Sequence, residues 1–228
     1  IVGESGSGKS TTAMAAIGLL PGNGRVTAGS VRFAGEELVG LPESRMRRIR
    51  GRRIGLVPQD PMSNLNPVTR VGQQIGETLL THGMATKKDV GAAVVEVMER
   101  AGIPEPARRA KQYPHELSGG QRQRIMIAQA LACQPKLLIA DEPTSALDVS
   151  VRAQILNLLT DLKQQLGLGM VFISHDIQTV RYLSDEIAVM NKGRVVEHGD
   201  AARVFDDPAD PYTRTLLGAA PSLLEPHH

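Results

Sequence analysis

The stretch that most constrains the fold of this chain lies at its beginning. Residues 3–10 read GESGSGKS, a complete match to the phosphate-binding pattern GxxxxGK[ST], and a helix-compatible run over residues 11–20 follows, before a Pro-Gly pair. In such a loop the glycines let successive amides face a β-phosphate, the lysine reaches the β- and γ-phosphate oxygens, and the serine hydroxyl binds Mg²⁺. The motif therefore predicts an α/β nucleotide-binding core in which Lys9 and Ser10 have these two roles.

A second glycine-rich turn, LSGGQ, lies at residues 117–121, where another helix is predicted to begin. Ser118 is a good N-cap residue, and Gly119 and Gly120 leave the backbone open. The first amides of the helix would therefore face an incoming anion, with the positive end of the helix dipole behind them. Taken alone, the pentapeptide is also compatible with an ordinary linker turn before a helix. In company with the first motif it predicts a second phosphate-binding place.

Two short apolar strands are predicted to end in polar residues. IGLV at residues 54–57 is followed by a proline and then by Gln59, whose amide can bind Mg²⁺ or position a water molecule. LLIA at residues 137–140 is followed by Asp141 and Glu142. Acidic residues often cap strand ends, but behind a phosphate loop we expect Asp141 to hold Mg²⁺ and Glu142 to polarise the water that attacks a γ-phosphate. Because carboxylates beside phosphate charges repel them, the ion is predicted to be obligatory.

Two further candidates follow in the second half of the chain. SALD at residues 145–148 precedes a predicted helix over residues 149–166, and from the local sequence Asp148 is simply a good helix cap. A strand is predicted within MVFISHD, residues 170–176, with His175 just past its end. A lone histidine is usually structural, so these residues gain a catalytic interpretation only from the other motifs.

The order and spacing of these motifs resemble the ATP-binding-cassette (ABC) ATPases over nearly the whole chain. The resemblance implies that the signature turn, residues 117–121, caps the γ-phosphate of an ATP molecule held by the P-loop of the opposite subunit. It also implies that Gln59 is the Q-loop hinge, that residues 145–148 are a D-loop along the dimer seam, and that His175 is the switch histidine that hydrogen-bonds the γ-phosphate. In this family an upstream aromatic residue stacks on adenine, and no aromatic residue precedes Gly3 here.

The site predicted from the motifs and the resemblance has four sets of residues. The catalytic residues are Glu142, His175, Lys9 and Gln59. The ATP-binding residues within one chain are Gly3, Glu4, Ser5, Gly6, Ser7, Gly8, Lys9, Ser10, Thr11, Gln59 and Asp141. The residues that contact ATP held by the other subunit are Leu117, Ser118, Gly119, Gly120, Gln121 and Asp148. The metal ligands are Ser10, Gln59 and Asp141, and the cofactors are ATP and Mg²⁺.

The predicted fold is α/β: a P-loop NTPase core with a mainly parallel sheet, an antiparallel β edge subdomain and an inserted α-helical subdomain. Within one ABC nucleotide-binding domain, the core is assigned to residues 1–59 and 117–200, the helical subdomain to about 60–116, and a C-terminal extension to 201–228. Alternation of apolar and polar residues between glycines predicts the antiparallel edge within residues 25–41.

Other stretches complete this prediction. Helical spacing of apolar residues predicts helices between residues 71 and 113, whereas residues 187–190 and 193–199 read as a strand and a hairpin-like segment. Only two residues precede Gly3, so we expect most of the strand that leads into the P-loop to be missing. The final Pro-His-His, residues 226–228, is either native or the remnant of a tag.

Composition excludes several classes of protein. The formal net charge of +2 is too small to indicate a nucleic-acid partner, and the single cysteine, Cys133, which is predicted to lie in the helix after the signature, cannot form a disulfide framework. The arginine-rich run over residues 45–53 reads as a solvated helix face with Met46 and Ile49 turned inward, since no aromatic residue is interleaved to stack bases. No apolar run approaches the ~20 residues of a membrane span, so other subunits would cross the bilayer.

Residues 60–67 and 204–217 look like the oligopeptide, dipeptide and nickel importer branch of the ABC ATPases. The resemblance implies a peripheral subunit on the cytoplasmic face of the cell membrane that powers import, of peptides first and of nickel as the alternative. Its expected partners are a second nucleotide-binding domain, in a homodimer or heterodimer, transmembrane permease subunits and, indirectly, an extracytoplasmic solute-binding protein. No nucleic acid is expected.

Two rival functions belong to other classes. A soluble ABC ATPase that acts on DNA or the ribosome usually adds zinc-binding cysteines, long coiled coils or a second cassette. A P-loop kinase of small molecules would leave the signature turn unexplained.

Overall fold

The computed structural model describes residues 1–219, except for the side chain of Tyr182, so the Pro-His-His segment at residues 226–228 lies outside the described residues. The described strands are β1 (Arg32–Phe33), β2 (Glu36–Glu37), β3 (Ile54–Val57), β4 (Leu137–Asp141), β5 (Gly169–Ile173), β6 (Glu186–Asn191) and β7 (Arg194–Asp200). The described α-helices are α1 (Lys9–Ala16), α2 (Glu43–Ile49), α3 (Pro61–Asn64), α4 (Val71–Thr81), α5 (Val90–Arg100), α6 (Pro106–Arg109), α7 (Gly119–Leu131), α8 (Val149–Leu166), α9 (Ile177–Leu183), α10 (Ala201–Asp206) and α11 (Pro211–Ala219), with a 3₁₀ turn at Pro114–Glu116.

The chain divides into two compact units, one from residues 1–29 and 172 onward and the other from residues 30–171. In the first unit, β6 and β7 pair antiparallel with Ile187 opposite Gly199, so the segment predicted to be hairpin-like, residues 193–199, is one strand of a hairpin and the predicted strand at 187–190 is the other. Val2 forms parallel bridges with Ser174 on one side and Val189 on the other. The short segment before the P-loop therefore lies between two neighbouring strand segments, as the predicted motif requires.

Helix α1 differs from the predicted run over residues 11–20 at both ends. It begins at Lys9 and ends at Ala16, because Gly18 adopts a left-handed conformation with φ of 66°. The amide of Gly18 donates to the Ala15 carbonyl at 3.2 Å, and the amide of Leu19 donates to the Met14 carbonyl at 2.8 Å. These two bonds form a Schellman cap, which closes the helix before the Pro-Gly pair is reached.

In the second unit, a short antiparallel strand pair and a parallel sheet lie at the predicted positions. Strands β1 and β2 pair antiparallel, whereas β3 and β4 run parallel with Val57 opposite Ala140. The sheet order is β3-β4-β5. The strand β4 is buried almost throughout, and Ile125 and Ile127 of α7 are fully buried in the same unit. This α/β arrangement is the predicted fold class.

Helix α2 carries the first part of the arginine-rich run and has the predicted inner face, but it ends at Ile49, so Arg50, Arg52 and Arg53 follow the helix. Met46 and Ile49 are buried, while Arg45, Arg47 and Arg48 are exposed. Arg45 donates to Glu36 at 2.5 Å, and the side chains of Arg50 and Glu43 also form an ion pair. The part of the run within α2 is therefore a solvated helix face paired with carboxylates, as predicted, whereas the prediction of a helix was wrong for residues 50–53.

Between residues 61 and 116 the structure contains only helical elements. Helix α4 buries Val71, Ile75 and Leu79 at helical spacing, and α5 buries Val94 and Met98. This spacing confirms the predicted helices and buries an apolar stripe on each.

Cys133 lies outside the helix in which it was predicted. Helix α7 ends at Leu131, and the buried Cys133 follows in a turn. The turn is required because Gln134 has a φ of 51° and precedes a proline, two features that a helix does not accommodate. Burial raises the pKa of the Cys133 thiol. The helix predicted over residues 149–166 is observed with those bounds, and within residues 1–219 no helix has both the length and the hydropathy needed to cross a bilayer.

Candidate functional site

The P-loop in the first unit is built on a glycine that has no room for a side chain. A Cβ atom on Gly3 would lie 2.1 Å from the carbonyl oxygen of Met190 in β6. Gly6 and Gly8 have φ values of 81° and 97°, which other residues rarely adopt. Glycine at these positions lets the loop pass close to β6 and turn its amides inward.

The side chain of Lys9 folds back onto the P-loop. Its ammonium group donates to the carbonyl oxygens of Gly3 at 2.8 Å and Glu4 at 3.0 Å, and the residue is only 4% exposed. The Gly193 amide, in the turn between β6 and β7, donates to the Ser7 carbonyl at 2.9 Å. Ser10 is half-buried in the first turn of α1 and Thr11 is exposed beside it. The loop thus places a positive charge and a hydroxyl at the start of one helix.

His175 shares the sheet edge of the P-loop. Because Val2 and Ser174 are paired in parallel, Gly3 and His175 are each the next residue beyond the same bridge. The Ser174 hydroxyl accepts a hydrogen bond from the Asp176 amide at 2.9 Å, and the Asp176 carboxylate caps α9 through the amides of Gln178 and Thr179. His175 is exposed between these two anchored residues. The structure therefore brings the predicted switch histidine and the P-loop together.

In the second unit, Gln59 and Glu142 are direct neighbours. The pairing of Val57 with Ala140 brings the residues after β3 and β4 to one edge of the sheet. The Gln59 amide nitrogen donates to a carboxylate oxygen of Glu142 at 3.2 Å. Asp141, at the end of β4, is 3% exposed. Amide and carboxylate groups from two motifs that are 83 residues apart therefore meet at this edge.

The backbone of Glu142 has an unusual conformation. Its φ is 44°, in the left-handed region, which costs a non-glycine residue roughly 1–2 kcal/mol. The amide and hydroxyl of Ser145 both donate to the Glu142 carbonyl, at 3.2 and 3.1 Å. These bonds hold the strained residue in place, and strain of this kind is concentrated at functional sites.

The signature turn caps helix α7 from both sides. The Ser118 hydroxyl accepts from the Gln121 amide at 3.3 Å, and the Gln121 side chain accepts from the Ser118 amide at 3.0 Å. This capping box confirms the predicted helix start. Leu117 is buried, whereas Ser118 and Gly119 are exposed. The glycine face of the turn is thus accessible at the positive end of a 13-residue helix.

Gly120 brings the signature helix close to the helix after the D-loop. A Cβ atom on Gly120 would lie 2.6 Å from Cγ1 of Val151 in α8, whereas one on Gly119 would lie 3.5 Å from Leu147. Asp148 caps α8 by accepting from the Val151 amide at 3.0 Å and the Ser150 hydroxyl at 2.9 Å. These two hydrogen bonds hold the pKa of the Asp148 carboxyl below its usual range. The signature and the D-loop are therefore packed together within one chain.

Two features of the structure, a cleft and a hydrogen bond, were not indicated by the sequence. A cleft of about 120 Å³ is lined by Gln59, Gly119, Leu147 and Gln123, and the last of these is 1% exposed. This cleft joins the Q-loop, the signature helix and the D-loop in one unit. In the other unit, the hydroxyl of Tyr212 in α11 lies 3.2 Å from the amide nitrogen of Glu4 in the P-loop. Neither Gln123 nor Tyr212 belongs to a motif that could have indicated its neighbours.

One unit has a phosphate loop followed by a helix, and the other has a polar strand end together with a capped glycine turn. These are the parts of a P-loop nucleotide-binding domain. The chain belongs to one family within this class, the ABC transporter family, which matches residues 1–145. A P-loop kinase is therefore excluded.

Curated relatives match nearly the whole chain. It is 51% identical to the peptidoglycan transport ATP-binding protein YejF of Agrobacterium fabrum. The match covers 100% of this chain and 42% of that protein. It is 49% identical to the oligopeptide transport ATP-binding protein OppD of Escherichia coli, over 98% of this chain and 66% of that protein. It is also 49% identical to a putative peptide import ATP-binding protein of Brucella ovis, over 98% and 68% of the two chains. The chain thus spans less than two thirds of the first two proteins.

Solved structures have the same fold. The dimeric structure of an ATP-binding cassette in a post-hydrolysis state, bound to ADP and Pi, has a TM-score of 0.75 and 30% identity over 88% of this chain and 83% of that one. A component of the cbiONQ ABC transporter complex from Clostridium perfringens also has a TM-score of 0.75 and 30% identity, over 90% and 78% of the two chains. The ABC cassette fold predicted from the motifs is confirmed.

Proposed function

We propose that this chain binds and hydrolyses ATP to power an ABC importer of peptides. The observation that carries the proposal is the contact between Gln59 and Glu142, 3.2 Å apart at the shared end of β3 and β4. An amide and a carboxylate in contact can both hydrogen-bond to one water molecule beside them and orient it. In a P-loop domain, such a water attacks the γ-phosphate.

The residues of the chain divide the work on the nucleotide. The P-loop amides after Glu4 and the Lys9 ammonium bind the phosphates, and His175 donates a hydrogen bond to the γ-phosphate from the neighbouring strand end. Ser10, Gln59 and Asp141 are the ligands proposed for Mg²⁺, and their hydroxyl, amide and carboxylate oxygens are the hard donors that this ion prefers. When bound, the ion neutralises charge that develops on the phosphates.

Glu142 is the proposed general base. It withdraws a proton from the water as the oxygen approaches the phosphorus, and Gln59 keeps both groups in line. The bonds from Ser145 to the Glu142 carbonyl hold the backbone of this residue, and the Gln59 amide contacts its carboxylate, so the base is partly positioned before the proton transfer.

The signature turn, together with Asp148, is proposed to act on the nucleotide of a second ABC domain. The exposed glycine face at the start of α7 can accept a γ-phosphate only from outside its own turn. The neighbour bound to ADP and Pi is a dimer, which supports this arrangement. ATP would then favour the closed pair, because its γ-phosphate is contacted by both halves, and hydrolysis would remove that bridge.

The transported solute and the remaining partners follow from the relatives. Oligopeptide and peptide transport appear in the names of proteins that are 49% identical to this chain, which favours peptides over nickel and over a role on DNA or the ribosome. We accordingly place the chain at the cytoplasmic face of the membrane, against permease subunits and, through them, a solute-binding protein. The division into a core (residues 1–59 and 117–200), a helical subdomain (about 60–116) and an extension from residue 201 belongs to the same proposal.

Substitution Glu142→Gln tests the function directly. Loss of a general base lowers turnover by roughly 10²- to 10⁴-fold, or about 3 to 5 kcal/mol of barrier, while ATP binding is retained. Steady-state phosphate release and equilibrium ATP binding measure the two effects. Glu96→Gln, which alters an exposed pair with Arg100, is the matched control and should turn over at the parental rate. Parental turnover by the Glu142 variant would contradict the assignment.

A further inference from the structure

The C-terminal helix α11 reaches the P-loop through one hydroxyl group. The phenol oxygen of Tyr212 accepts a hydrogen bond from the Glu4 amide at 3.2 Å, across 208 residues of sequence. In a P-loop the amides are the groups that hold phosphates, so a side chain that occupies one of them acts on the binding loop itself. Tyr212 is half-buried at this place.

The peptide group that Tyr212 contacts is the same one that contacts Lys9. The Glu4 N–H and the Gly3 carbonyl belong to a single planar peptide and point in opposite directions. Lys9 donates to that carbonyl at 2.8 Å, while Tyr212 accepts from the N–H at 3.2 Å. A cation on one side and a phenol oxygen on the other therefore hold this peptide between them. Hydrogen bonds in such a chain polarise one another, so each strengthens the next.

The position of Tyr212 is fixed by a buried carboxylate. Glu197 in β7, with a side chain only 4% exposed, accepts from the amides of Ala209 at 2.8 Å and Asp210 at 3.1 Å. Asp210 in turn accepts from the Tyr212 amide at 2.8 Å, and Arg214 donates to the Pro208 carbonyl at 2.8 Å. The turn before α11 is therefore held by four hydrogen bonds, so the phenol is presented to the P-loop from a preorganised backbone.

We infer that Tyr212 is a positioning residue of the nucleotide site, which fixes the Gly3–Glu4 peptide and thereby the place of the Lys9 ammonium. This inference rests on the proposed function, because Lys9 is there the phosphate ligand. It makes the tail of the chain part of the nucleotide site, although Tyr212 itself does not touch the reacting atoms.

The test is the affinity for nucleotide of Tyr212→Phe in the full chain, measured by calorimetry with ATP and with ADP in the presence of Mg²⁺. One lost hydrogen bond corresponds to a Kd about 2- to 10-fold higher. Since the P-loop holds the β-phosphate, ATP and ADP should weaken by the same factor. The KM for ATP should rise equally, and kcat should stay within about 2-fold of the parental value.

Two further variants separate positioning from packing. Thr215→Val removes another hydroxyl of α11, one that donates to the Pro211 carbonyl of the same helix at 3.0 Å, and should bind ATP like the parent. Tyr212→Leu removes both ring and hydroxyl. If Tyr212 served packing alone, Tyr212→Phe would keep the parental affinity for ATP and only Tyr212→Leu would bind ATP more weakly. That result would overturn the inference. A parent chain that bound neither nucleotide would overturn the proposed function as well, whereas parental affinity of Tyr212→Phe would remove only this inference.

Discussion

Single residues with little steric freedom shape both glycine-rich turns. At Gly3 the obstacle to a side chain is the backbone oxygen of Met190 in β6, which cannot rotate away as a side chain could. At Gly120 the obstacle is one methyl group of Val151, the end of a short side chain. The second glycine of the signature is therefore required for helix packing as well as for access to the backbone.

Substitution Gly120→Ala should lower the free energy of unfolding by about 1 to 3 kcal/mol, because its Cβ would overlap Val151. Gly119→Ala is the matched control, since its Cβ meets Leu147 at an ordinary 3.5 Å, and it should change stability by less than about 1 kcal/mol. Urea unfolding measures both. In the Gly120→Ala background, Val151→Ala should recover part of the loss, and a double variant no more stable than the single one would contradict the packing explanation.

At the scale of elements, the buried carboxylate of Glu197 joins β7 to the turn before α11. Burial acts to raise the pKa of Glu197, but the hydrogen bonds from the amides of Ala209 and Asp210, together with Thr213 and the charge of Arg203, outweigh it and hold this pKa below its usual range. A carboxyl with a depressed folded-state pKa stabilises the fold above its unfolded-state pKa of about 4.3. That stabilisation is lost as pH falls through the folded-state pKa.

Glu197→Gln should therefore lower the free energy of unfolding by about 1 to 3 kcal/mol at pH 7, because charge-assisted hydrogen bonds to two amides are replaced by neutral ones. The difference from the parent should shrink as pH falls through the folded-state pKa of Glu197, because the parental carboxyl is then protonated as well. Urea unfolding at several pH values gives this comparison. A deficit that stayed constant across the whole acid range would show that the charge of Glu197 is not what anchors the turn before α11.

At the scale of the whole molecule, the proposed cycle depends on a second domain. The glycine face of the signature turn is exposed rather than covered by the rest of its own domain. The phosphate that we propose for this face is the γ-phosphate of an ATP molecule held by the P-loop of a partner. The γ-phosphate is then shared between the two chains, so assembly should depend on which nucleotide is bound.

The Glu142→Gln variant should form a dimer with ATP and remain monomeric with ADP, because slow hydrolysis preserves the γ-phosphate that both halves contact. Light scattering after gel filtration reports the mass. Adding Ser118→Arg should abolish the ATP-dependent dimer and leave ATP binding intact, since a bulky side chain would obstruct the glycine turn. Ser44→Arg, at an exposed position of α2, controls for added charge and should dimerise normally. A dimer that survives Ser118→Arg would place the partner's nucleotide elsewhere.

Much of the fold could be predicted because its signals are local. The cap at Ser118, the end of β3 before Gln59 and the bounds of α8 depend on hydrogen bonds and apolar spacing within a few residues. The end of α1 and the turn at Cys133 were predicted wrongly, although their causes are also local: Gly18 closes α1 with two bonds to its last turn, and Gln134 takes a left-handed backbone before Pro135.

By itself, the sequence determined the kinds of chemical group in the candidate site and the order in which the chain presents them. Tertiary structure decided which groups meet: the amide of Gln59 with the carboxylate of Glu142, the backbone of Gly120 with Val151, and the phenol of Tyr212 with the P-loop. The physical reason is that hydrogen-bond type and periodicity are properties of neighbouring residues, whereas a contact across 208 residues exists only once strands and helices have fixed the distance between its two ends.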